Sequence, residues 1–113
     1  MARKNVLTSS PPYPVEQAIK RLGANLRTAR LRRNLTIEDV AGKIGTGRHA
    51  VLAAEKGKPS TSIAVYTALL WSYDLLRAME TLADPGLDET GLAMAERRKR
   101  ARAEKSGELD SDF

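Results

Sequence analysis

The chain has 113 residues and a formal net charge of +5, with no cysteine and a single histidine. A chain of this size makes one small domain with tails and buries about two-thirds of its unfolded surface. Its composition excludes disulfides, thiol nucleophiles and thiolate or His-rich metal sites, and it leaves little from which to build a hydrolytic triad.

No apolar run approaches the roughly 20 residues that span a bilayer. Met1-Ala2-Arg3-Lys4 has the charge of a signal peptide, but no apolar segment follows it. The expectation is a cytoplasmic protein with no cofactor and no membrane partner. Charge is unevenly spread: residues 1–35 balance to +7, 36–60 to +1, 61–96 to −5, 97–105 to +5 and the last eight to −3. A basic front half beside an acidic stretch suggests one face for phosphates and another for something else.

Residues 1–13 read as a flexible arm, because Thr8-Ser9-Ser10-Pro11-Pro12 is too polar and proline-rich to pack. Pro14 suits the first turn of a helix carrying Val15, Ile19, Leu22, Leu26 and Ala29 to about Arg33, with Asn34 as a left-handed stop. Thr36 and Asp39 form a capping-box-like start for a helix near 37–44, in which Ile37, Val40, Ala41 and Ile44 share one face. Gly45-Thr46-Gly47 permits a sharp reversal. A helix near 47–56 follows, stopped by Lys56-Gly57-Lys58-Pro59. Two short helices around a tight turn make a helix-turn-helix unit, whose second helix can enter a DNA major groove.

Ser60-Thr61-Ser62 offers caps for a fourth helix with Ile63, Val65, Tyr66, Leu69, Leu70 and Tyr73, and a fifth is expected from Leu75 to Leu82. Residues 14–83 thus form the DNA-binding domain. Residues 84–113 read as an appendage with helical propensity from Glu89 to Lys105. Strand-like alternation is absent, so the fold class is all-α.

The order of Leu22-Gly23, the basic Arg27 and Arg30, the Ala41-to-Gly45 turn and Glu55-Lys56-Gly57 resembles the lambda-repressor-like, or XRE-type, helix-turn-helix family. That resemblance implies a five-helix bundle binding operator DNA as a homodimer. It also implies roles by position. Arg48 and His49 open the recognition helix, and Arg48 can bond bidentately to guanine. Leu52 and Ala53, about one turn later, can meet a thymine methyl. Gly47 and Ala53 stand where many relatives carry polar readers, which leaves more of the specificity to DNA shape.

Thr36 and Thr46 are placed at helix N-termini, where hydroxyls and amides can grip phosphate or simply cap. Lys58, Ser60 and Thr61 resemble a second phosphate clamp. Arg30 and Glu55 correspond to a family ion pair that positions the recognition helix. Trp71 is a candidate for a dimer or partner surface, with capping of the core as the alternative.

The ends of the chain bear a second resemblance. Ser-Pro-Pro-Tyr-Pro-Val-Glu-Gln-Ala near the start, Lys56 to Thr61, the basic Arg97 to Arg102 and the ending Leu109-Asp110-Ser111-Asp112-Phe113 look like the HipB-like antitoxins. Those are encoded beside HipA-type serine/threonine kinase toxins. The resemblance implies an autorepressor that also binds a HipA-like kinase; if the tail, whose large apolar groups are Leu109 and Phe113, serves that kinase, Phe113 is the natural anchor and Asp110 and Asp112 the natural ion-pair formers. A stand-alone repressor and a non-DNA-binding adaptor are the alternatives. No nucleophile–base pair or phosphate-binding glycine loop points to an enzyme.

Overall fold

The computed structural model describes residues 5–111, with side chains through residue 107. All of its regular structure is helical: α1 (Val6–Ser9), α2 (Tyr13–Arg32), α3 (Ile37–Ile44), α4 (Arg48–Glu55), α5 (Ile63–Ser72), α6 (Leu76–Glu80), a single 3-10 turn at Pro85–Leu87, and α7 (Glu89–Ser111). The chain divides into two compact units between Met79 and Glu80.

In the first unit, helix starts and stops follow local chemistry. Thr36 Oγ1 accepts from Asp39 N at 3.0 Å while Thr36 N donates to Asp39 Oδ2 at 3.0 Å, a complete capping box for α3. Ser62 caps α5 by accepting from Val65 N. The four principal helices all end the same way. Asn34, Gly45, Gly57 and Asp74 have positive φ. The next residue then donates back five positions: Leu35 to Arg30, Thr46 to Ala41, Lys58 to Ala53 and Leu75 to Leu70. Each left-handed residue reverses the chain and satisfies a carbonyl that the helix leaves open.

These reversals fold α2 to α5 around one core: Leu26, Ala29, Val40, Ala41, Val51, Ala54, Tyr66, Leu69 and Tyr73. Ile19, Leu22, Leu35, Ile37, Ile44, Val65 and Leu70 pack around its edge.

Three expectations are revised. Inside the stretch read as an arm, Val6–Ser9 make one helical turn, because Asn5 Oδ1 accepts from Leu7 N at 3.0 Å and so caps it. The fifth helix is cut to Leu76–Glu80: Asp74 ends α5 in the left-handed region, and α6 has no buried residue to extend it. The recognition helix begins at Arg48, one residue late, since Gly47 is its N-cap.

In the second unit, Asp88 Oδ1 accepts from Gly91 N at 3.0 Å at the start of α7. That helix is regular to Ser111, past the expected Lys105. Ala, Glu, Lys and Arg, strong helix formers, dominate it and sustain it with its described side chains exposed. No helix among the described residues is long and apolar enough to cross a membrane.

Candidate nucleic-acid interface

The eight residues of α4 have one buried end and one open end. Val51 and Ala54 are fully buried, which fixes the inner face of the helix. At its C-terminal end Glu55 receives two bonds from Arg30, from Nε at 2.7 Å and from Nη2 at 3.0 Å. Arg30 Nη1 donates to Leu35 O at 2.9 Å, so the guanidinium joins α2, α4 and the loop before α3. The hydrogen bond to Glu55 holds Arg30 above its ordinary pKa against the opposing effect of burial.

Backbone contact completes the anchor. A Cβ on Gly23 would lie 2.7 Å from Gly57 N and 2.8 Å from Glu55 O. A Cβ on Gly57 would lie 2.8 Å from Ile19 O and Lys20 N. Helix α2 and the end of α4 therefore touch main chain to main chain, which only glycine allows at these two positions.

Beyond α4, the Tyr66 hydroxyl donates to Lys58 O at 3.1 Å and pins the loop. Burial raises the Tyr66 phenol above its ordinary pKa, which keeps it protonated as a donor. Lys58 and Ser60 are exposed in that loop, whereas Thr61 is half-buried and its hydroxyl oxygen is shielded from solvent.

The N-terminal end of α4 faces solvent. Gly47, Arg48 and His49 are exposed, and Leu52 and Ala53 behind them are half-buried. No side chain caps this helix. Its leading N–H groups, which have no partners inside a helix, thus receive no side-chain acceptor. Arg48 Nε lies 3.8 Å from Glu38 Oε1 on α3.

Thr46 has a different place from the one expected. It precedes the N-cap, and its amide is already used by Ala41 O at 2.9 Å in closing α3. The exposed Thr36 has its hydroxyl oxygen engaged by Asp39 N, so toward a phosphate it retains its own O–H as donor.

Trp71 lies away from the core, 53 % exposed, with Lys43 Nζ 5.6 Å from its ring centroid. Lys43 Nζ also donates to Ser72 O at 3.1 Å. The side chains of Leu109 and Asp110, and the whole of Asp112 and Phe113, lie outside the described residues. Sequence reasoning did not single out Glu38, Tyr66 as a loop anchor, or Lys43 beside Trp71. Each is an ordinary helix-surface or core position until a second element is placed against it.

The sequence pattern of the helix-turn-helix domain family matches residues 21–83, more than half of the chain and the whole of α3, α4 and α5. No curated protein and no solved structure matches the chain significantly.

Proposed function

Because the chain belongs to the helix-turn-helix domain family, a DNA-binding family, we propose that it is a sequence-specific transcriptional repressor that binds operator DNA as a homodimer. The observation that carries this reading is the polarity of α4: a helix anchored at Glu55 and Gly57 presents uncapped amides, Arg48 and His49 to solvent at its other end. In a major groove, Arg48 reads guanine while His49, Leu52 and Ala53 meet neighbouring base edges. The amides following Gly47, the Thr36 hydroxyl, Lys58 and Ser60 hold phosphates. Thr46 and Thr61 contribute by shaping the turn and the loop. The exposed Trp71 supplies apolar surface to the second copy.

In the finer reading the repressor is the antitoxin of a HipA-like serine/threonine kinase. The resemblance of the chain's ends to HipB-like antitoxins supports it, with Leu109, Asp110, Asp112 and Phe113 as the kinase-binding set.

Selection from random duplex DNA across a salt series tests the first reading. The expected result is one enriched near-palindrome with half-sites about one helical turn, or a multiple of it, apart. Salt-dependent binding without sequence enrichment, by a monomer, overturns it. Coexpression with a HipA-like kinase tests the second. Truncation at Ser106 should weaken kinase binding while operator affinity persists, and undiminished neutralisation by the truncated chain removes the tail from that role.

A further inference from the structure

The α3–α4 unit with its following loop, residues 36–60, carries three acids: Glu38, Asp39 and Glu55. Two are committed inside the fold. Asp39 closes the capping box on Thr36, and Glu55 holds Arg30. Glu38 makes neither of these bonds, although as an acid in the first turn of α3 it suits the helix N-terminus and its charge also favours that of Arg30. It is the second residue of α3, its side chain is 65 % exposed, and its ion-pair partner among the described residues is Arg48 at 3.8 Å, itself 59 % exposed.

Stability does not explain this pair, because exposed ion pairs of this kind contribute about 0–1 kcal/mol. On a surface that meets phosphates, an acid opposes binding through like-charge repulsion. Its position becomes favourable when the arginine beside it is the group that must be aimed.

The contact is made through Nε of Arg48. A guanidinium engaged at Nε keeps both terminal nitrogens free, and those two donors match the O6 and N7 acceptors of guanine. We propose that Glu38 is a specificity-determining positioning residue: it holds Arg48 end-on to a guanine and withholds it from the phosphate backbone. Docking displaces water from the pair and strengthens it as the local dielectric falls. The acid thus costs affinity on arbitrary DNA, where Arg48 has no guanine to meet, and costs little on the operator. This inference rests on the reading of Arg48 as a base reader.

The test compares the full-length wild type, Glu38→Gln, Arg48→Ala and the double variant on three duplexes. These are the selected operator, the operator with the Arg48-dependent base pair exchanged, and a random sequence, each over a salt series. Glu38→Gln should bind random DNA more tightly, with a log–log salt slope steeper by about one as Arg48 gains a phosphate. Its preference for operator over exchanged operator should fall about tenfold, within the range that one bidentate base contact supplies. In the Arg48→Ala background the same change should leave that preference unaltered.

Two results overturn the inference while leaving Arg48 a reader: Arg48→Ala loses the preference but Glu38→Gln keeps it, or Glu38→Gln shifts all duplexes equally with and without Arg48. If Arg48→Ala keeps the wild-type preference, the reader role falls and this inference falls with it. Thermal melting of Glu38→Gln close to wild type verifies that the differences arise at the DNA surface.

Discussion

The two ends of α4 differ in almost every physical respect, although about 10 Å of helix separates them. At the C-terminal end the main chain touches α2 at Gly23 and Gly57, and a buried carboxylate takes both forks of a buried guanidinium. At the N-terminal end there is no capping side chain, and Gly47, Arg48 and His49 stand in solvent. The stability of the helix is therefore concentrated where its geometry must be fixed. The end whose amides have no side-chain cap is the one able to take external partners. The start of α3, only eleven residues earlier, shows the alternative, with a side-chain oxygen and a backbone amide satisfied reciprocally.

The largest expected effect breaks the anchored end. Gly23→Ala places a methyl against Ala54 O, Glu55 O and Gly57 N, backbone atoms that cannot swing aside. Helices α2 and α4 must separate, and denaturant unfolding should show a loss on the order of 3–5 kcal/mol, among the more severe for a single substitution. A variant as stable as wild type would mean that the main-chain contact does not seat the helix.

Next comes Glu55→Ala, which leaves the Arg30 guanidinium buried without its counter-charge. A loss of about 3–5 kcal/mol is expected. Replacing both partners by apolar residues, as in Arg30→Met with Glu55→Leu, should recover most of that stability. Operator binding by the double variant then asks whether the pair acts by positioning α4 as well as by holding it.

At the α3 start the effects are smaller. Thr36→Ala should cost about 1 kcal/mol. The Asp39 carboxylate is held below its ordinary pKa chiefly by the Thr36 amide that donates to it. A depressed value means that its contribution is complete above the unfolded-state value and is lost as pH falls through the folded-state one. Stability measured against pH should thus show a constant gap between wild type and Asp39→Asn near neutrality, closing below about pH 3.9. A gap that opens on acidification would contradict the capping box as its origin.

The smallest effect sharpens the contrast. Gly47→Ser has open space at its Cβ and supplies the missing cap. Thermal melting should show a gain of a few tenths of a kcal/mol. Operator affinity should fall, because the new oxygen occupies an amide otherwise presented to phosphate. Rising stability with rising affinity would remove the open amides from the interface.

Much of this architecture was legible in the chain because its signals are local. The Thr36–Asp39 spacing, the apolar period of 37–44, Asn34 as a left-handed stop and the glycines after α3 and α4 each act within one or two turns, and the structure has them as read. The pairing of Arg30 with Glu55, 25 residues apart, was accessible only through family resemblance, since no local rule links them. Tertiary structure alone decided the rest. It shortened α6, none of whose residues is fully buried, and it left Trp71 outside the core beside Lys43. It gave the Thr46 amide to α3, leaving Gly47 to open α4. It also set Glu38 beside Arg48, and Gly23 against Gly57. The physical reason is common to all of these. Caps and periodicity are properties of one segment of chain, whereas a contact between two helices exists only once the core has fixed their distance and rotation.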